Sequence, residues 1–112
     1  MAAAVGAMLT APALAAPPVM PNAFNDRLAR LSPTDRLGAL RRAVTSGDKR
    51  CGRLDAGDYR GPWGNLRVWQ VHCTPGGDYN VFVGPAGEIQ VRSCAELKGL
   101  DFMQCAQRRP KR

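Results

Sequence analysis

Histidine is nearly absent from this chain, charge is missing from its first 25 residues, and no two of its cysteines lie close together. Each gap removes a class of chemistry. Cys51, Cys73, Cys94 and Cys105 form neither a C-x-x-C nor a C-x4-C spacing, which excludes a zinc knuckle and a thioredoxin-type redox pair. His72 is the only imidazole, and its neighbour Cys73 would point to the opposite face of a strand, so no Ser, Thr or Cys nucleophile gains a histidine partner. Asp55 and Asp58 in Leu-Asp-Ala-Gly-Asp-Tyr lack the alternating oxygen ligands and terminal Glu of a calcium loop, and turn formation accounts for them. No metal or cofactor is implied.

The uncharged N-terminus reads as an export leader. Val5, Met8, Leu9 and Leu14 run among alanines as far as Pro17-Pro18, the pattern of a signal-peptide apolar region. An apolar run of about 16 residues broken by Pro12 falls short of the roughly 20 that a membrane span needs. Ala13-Leu14-Ala15 supplies the small residues of a cleavage site, so residues 1–15 are expected to be a signal peptide cut before Ala16. The usual Lys or Arg at the start of such a leader is missing, and no cysteine follows it to carry a lipid. The expected location is periplasmic or secreted.

Positive charge, by contrast, is abundant. Sixteen Lys and Arg stand against nine Asp and Glu, giving a net charge of +7 and a pI near 9.9. Such a field favours anionic partners such as nucleic acid, lipopolysaccharide, phospholipid headgroups or acidic proteins, and it also serves solubility alone. It argues against an inhibitor of basic lysozyme-like enzymes, which it would repel.

An even number of cysteines in an exported chain implies a disulfide framework. Of the three possible pairings, Cys51–Cys73 and Cys94–Cys105 are expected, the first tying a long loop to the sheet and the second closing the C-terminal segment. Each bridge is worth about 3 kcal/mol on the loop-entropy model, which matters because a domain this small buries only about 60 to 65 percent of its chain surface.

Residues 16–23 are rich in proline and read as a flexible arm, with the fold starting near Phe24. Asn25-Asp26 suits a short turn carrying Leu28 and Leu31. Ser32-Pro33-Thr34-Asp35 then places a cap, a first-turn proline and an acid in helix-start order, predicting a helix from Pro33 to about Ser46. Leu37, Leu40 and Val44 form its apolar stripe, Arg36, Arg41 and Arg42 lie off it, and Gly47 ends it. Residues 48–65, with glycines at 52, 57, 61 and 64, read as a long loop pinned by Cys51. Three strands follow, Leu66 to Cys73, Asp78 to Val83 and Glu88 to Arg92, joined by Thr74-Pro75-Gly76-Gly77 and Gly84-Pro85-Ala86-Gly87. Ser93-Cys94-Ala95-Glu96 is a capping box opening a short helix that Gly99 stops. Residues 107–112 carry four positive charges and read as a disordered basic tail.

The expected architecture is α+β: one N-terminal helix packed on a three-stranded antiparallel meander, with a short C-terminal helix, two disulfides, and a single domain over residues 24–106. Four-residue loops pair Trp69 with Phe82 and Phe82 with Ile89 under the helix, and leave Val68, Gln70, His72, Tyr79, Val81 and Arg92 on a partly wet face.

On that face His72, Tyr79 and Arg92 would form a row about 5 Å apart at Cβ, the weak catalytic candidates of a ribonuclease-like phosphodiesterase. Glu88, about 13 Å from Arg92 along its strand, is too distant to share their phosphate, and Glu96 is spent as a cap. Surface polar pairing therefore explains the row better than catalysis. Tyr59, Arg60, Trp63, Arg67 and Trp69 interleave aromatics with arginines, as in base-stacking surfaces, yet seven aromatic residues are few and the core needs most of them. Trp63, between Pro62 and Gly64, is the candidate recognition anchor, with Arg60, Arg67 and Arg92 as candidate anion-binding residues. The leading expectation is a non-enzymatic exported interaction domain, possible partners being anionic. The alternatives are the phosphodiesterase and a nonspecific binder of nucleic acid or anionic lipid.

Overall fold

The computed structural model describes residues 19–107, so the expected leader and cleavage site and the tail beyond Gln107 lie outside the described residues. The chain is α+β, with a four-stranded antiparallel sheet, two helices on one face, a short one on the other and two disulfides.

Local capping chemistry sets the helices. Ser32 Oγ accepts the Asp35 N–H at 3.2 Å and Pro33 fills the first turn, so α2 spans Pro33–Ser46 and stops at Gly47. The turn expected before it is a second helix, α1 (Ala23–Arg30), whose cap is Asn22: its Oδ1 accepts the Asn25 N–H at 2.9 Å. Asn22 is buried, and its Nδ2 donates to the carbonyls of Val83 (2.8 Å) and Asn65 (3.1 Å). The segment read as a flexible arm is therefore tied into the fold at its end.

The strands run in the order β1 (Arg53–Trp63), β2 (Leu66–Thr74), β3 (Gly77–Val83) and β4 (Ile89–Ser93). This corrects the expectation of three strands, because most of the region read as a loop is the longest strand of the sheet. Its glycines and aspartates disfavour strand formation on their own, but pairing along the whole of β2 overrides local propensity. Register shifts at Asp55 and Arg60 mark two bulges that absorb the excess residues.

The register also departs from expectation. Trp69 pairs with Val81, Val81 with Val91, Val68 with Phe82 and Phe82 with Gln90. Because β2 continues to Thr74 and β3 begins at Gly77, the turn between them is Pro75-Gly76 rather than four residues. A side chain on Gly76 would collide with the Arg50 carbonyl oxygen, and its φ of 143° also demands glycine. A slip of one residue turns a strand over. Phe82 thus leaves the helix face, and Tyr79, Val81 and Val83 take its place beneath Leu28, Leu40 and Val44.

The opposite face is covered over its middle and stays open to water at Gln90 and, in part, at His72. Val68 and Phe82 are covered by Leu97 of α3 (Cys94–Leu97) and by Phe102 and Met103 of the segment that follows. Phe102 meets Phe82 edge-on at 5.2 Å. Between these apolar groups Gln70 makes two bonds to the backbone of Ala106, its Nε2 donating to the carbonyl (2.8 Å) and its Oε1 accepting the N–H (2.7 Å). Asn80 Nδ2 donates to the Met103 carbonyl at 2.9 Å, while its buried Oδ1 accepts no bond among the described residues.

Disulfides join Cys51 to Cys73 and Cys94 to Cys105, and no described cysteine is free. The first fastens the entry to β1 onto the end of β2. The second closes the covering segment over the sheet.

Asn22→Ala should therefore cost far more than a surface change, because it strands two carbonyls at the sheet end and removes the cap of α1. A loss of about 2–3 kcal/mol is expected in denaturant unfolding, and a midpoint equal to that of the parent chain would show that Asn22 holds nothing.

Candidate functional site

His72 stands on β2 between Ala56 of β1 and Asp78 of β3, and its side chain is partly exposed. Its Nδ1 lies 2.7 Å from Asp78 Oδ1 and its Nε2 lies 4.0 Å from Asp55 Oδ2. Asp55, the extra residue of the first β1 bulge, is also bound by Arg53 Nε at 2.7 Å and by the Thr74 hydroxyl, which donates to it. The Thr74 hydroxyl and then the Arg53 guanidinium hold the Asp55 carboxyl below its ordinary value.

A hydroxyl, an imidazole and a carboxylate are thus neighbours, since Thr74 Oγ1 is 3.4 Å from His72 Nε2. Nucleophilic catalysis needs the hydroxyl proton aimed at the imidazole. Here it goes to Asp55, and the cluster acts as a clamp fastening the β1 bulge to the end of β2.

The row expected from His72, Tyr79 and Arg92 does not form. Tyr79 faces the helices, where it is buried and donates to the carbonyls of Arg50 (2.9 Å) and Gly76 (3.0 Å). It braces the turn beside the Cys51–Cys73 bridge. Arg92 shares a face with His72 but pairs with Asn80, one row along, and its guanidinium lies 5.9 Å from the centre of the Phe102 ring.

The interleaved aromatic and basic residues also separate. Arg67 is buried, its guanidinium donating to the Met20 carbonyl at 2.5 Å and the Leu66 carbonyl at 3.3 Å, which is a structural tie to the N-terminal segment. Arg60 is exposed at the second bulge of β1. Trp63 pairs with Leu66 and is 37% exposed at the end of that strand. Trp69 is buried: its Nε1 donates to Asn25 Oδ1 at 2.6 Å, and Tyr59 (5.1 Å) and the Arg36 guanidinium (5.6 Å) lie against its ring. Arg53, Arg60, Arg67 and Arg92 consequently do not gather on one face.

The sequence reading missed one concavity altogether. An open groove of about 610 Å³ lies between α1, α2 and the β3–β4 side of the sheet, with Arg27 and Arg42 beside apolar walls. Its signal was weak: Ala39, Ala43 and Gly47 recur every four residues along α2 and its C-cap, beside the apolar stripe. Among the described residues no group of three His, Cys, Asp or Glu side chains is placed to hold a metal ion, and no helix is long and apolar enough to cross a membrane.

Comparison of the chain with protein-family models, with curated proteins and with solved structures finds no match.

Glu96 completes the capping box of α3, its Oε1 accepting the Ser93 N–H at 2.7 Å with Lys49 Nζ at 3.4 Å. The Ser93 amide, followed by Lys49, holds its carboxyl below the ordinary 4.5. A carboxyl depressed by folding stabilises the protein above its unfolded pKa and loses that contribution as pH falls through the lower folded value. Stability should therefore decline below about pH 4.5, with Asp55 adding to the fall from about 3.8 downward. Glu96→Gln should remove the first part of this decline in urea midpoints measured from pH 6 to pH 3, and an unchanged pH profile would contradict the assignment.

Proposed function

We propose that the protein is an exported, disulfide-stapled interaction domain, non-enzymatic, that binds anionic partners through exposed arginines. The observation that carries this reading is the surface of the helical layer. Arg27, Arg30, Arg41 and Arg42 are exposed there, and Asp26 and Asp35 are the only acids on the two helices. Among the described residues the close Lys and Arg partners of carboxylates are Lys49 and Arg53, so most of the positive charge is left facing solvent. Two disulfides fit an oxidising compartment. The Thr74 hydroxyl committed to Asp55, with Tyr79 turned into the core, supports binding over catalysis.

An interaction of this kind is electrostatic and indifferent to sequence. If about six phosphates are neutralised, affinity for duplex DNA should fall with salt at a log-log slope of about −5. Arg30→Gln with Arg41→Gln should flatten that slope by about two units, since each lost phosphate contact removes roughly one. Binding to duplex DNA and to anionic vesicles at two salt concentrations measures both effects, and RNA incubated with the same preparation should stay intact. Cleavage that His72→Ala abolishes would overturn the non-enzymatic reading. Absence of binding to either polyanion at low salt would overturn the anionic one.

A further inference from the structure

We infer that the groove between α1, α2 and the sheet is a binding site for a single-chain anionic amphiphile, a long-chain carboxylate by chemical class. The groove follows from how the helices are held. The buried bonds of Asn22 to Val83 and Asn65, and of Asn25 to Trp69, fix α1 at one end of the sheet. Helix α2 packs chiefly over β1, and two of the residues that it turns toward the gap, Ala39 and Ala43, are small. The space between them is therefore left unfilled.

Its volume of about 610 Å³ falls within the roughly 300–1,000 Å³ of small-molecule sites. Leu28, Leu40, Val81 and Val83 line its depth, all of them core residues. At the rim Leu31 and Ile89 are 39% and 37% exposed, apolar surface that a hydrocarbon chain would remove from water.

The polar character of the site lies in two cations. Arg27 rests against the Phe24 ring with its guanidinium 5.5 Å from the centroid, and Arg42 stands on the facing helix. Among the described residues neither guanidinium has a carboxylate or carbonyl partner. Guanidinium groups match the planar geometry of a carboxylate and bind it through paired N–H donors. An apolar trough with a carboxylate-binding rim selects a molecule that is apolar along its length and anionic at one end. The same rim disfavours a cationic amphiphile of equal chain length.

This inference goes beyond the polyanion reading, because it needs an apolar groove rather than a diffuse field. Calorimetric titration of the full chain with laurate and myristate, both below micelle formation, tests it, with dodecyltrimethylammonium as the charge-reversed chain. Myristate should bind about 15-fold tighter than laurate, since each of its two additional methylenes is worth about a factor of four when buried. The ammonium compound should bind at least tenfold more weakly than laurate. Arg27→Gln with Arg42→Gln, both at exposed positions, should weaken myristate binding at least tenfold. Ala43→Phe should abolish myristate binding by filling the groove, and Ile89→Asp, at the exposed rim, gives the same readout should Ala43→Phe fail to fold. Binding of duplex DNA should be unchanged by Ala43→Phe, which separates a failure here from a failure of the polyanion reading. Equal binding of carboxylate and ammonium, insensitivity to both groove substitutions, or no carboxylate binding at millimolar concentration would overturn the site. Adsorption to phosphatidylglycerol vesicles with no uptake of free myristate would equally overturn it, placing the chemistry at a lipid surface instead.

Discussion

Two side-chain amides at the centre of a sheet, Gln70 and Asn80, decide how this protein closes its second face. Both are buried, and a buried amide without partners costs several kcal/mol. Their partners are backbone groups of Met103 and Ala106, in a segment with no regular structure of its own. The hydrogen bonds therefore fix the path of that segment, and the path places Phe102 and Met103 over Phe82 and Val68. Cys94–Cys105 holds the segment near the sheet at reduced entropic cost. Without it the apolar half of this face would stand open, and a single layer of helices would leave the sheet half covered.

The other face depends on a comparable mixture of polar and apolar contacts. Asn22 and Asn25 bring α1 to the sheet through bonds to Val83, Asn65 and Trp69. At the far end the Cys51–Cys73 bridge, the Tyr79 hydroxyl and the bond from the Gly52 N–H to the Pro75 carbonyl (3.0 Å) join the loop before β1 to the β2–β3 turn. The helices are thus positioned by their ends, and the middle of the layer stays underfilled where α2 offers alanine. Stability and the groove share one origin.

Much of this was legible in residues that act locally. Ser32-Pro33 set the start of α2, Ser93 with Glu96 set α3, and an even cysteine count pointed to two bridges. What escaped depended on distant partners. Strand β1 is rich in glycine and aspartate and becomes a strand only against β2. The facing of β3 hung on whether Pro75-Gly76 made a turn of two residues or part of one of four, and the difference moved Tyr79 into the core and Phe82 out to the other layer. The expected row failed for that reason and because β4 also pairs one residue out of the expected register, Phe82 facing Gln90 and Asn80 facing Arg92. Arg67 looked like a surface cation, yet the carbonyl that binds it belongs to Met20, 47 residues away. The groove was hardest to foresee, because spacing on a helix reveals which residues are small but not what they fail to touch.

The irregular C-terminal segment is thus a fixed layer of the fold, clasped by Gln70. Amide hydrogen exchange at Ala106 tests it most directly, since this N–H has Gln70 Oε1 as its partner at 2.7 Å and belongs to no helix or strand. Exchange should be slowed to the range of the β2 and β3 amides, and Gln70→Leu should return it toward the random-coil rate. Exchange at the random-coil rate in the parent chain, with β2 and β3 fully protected, would contradict it.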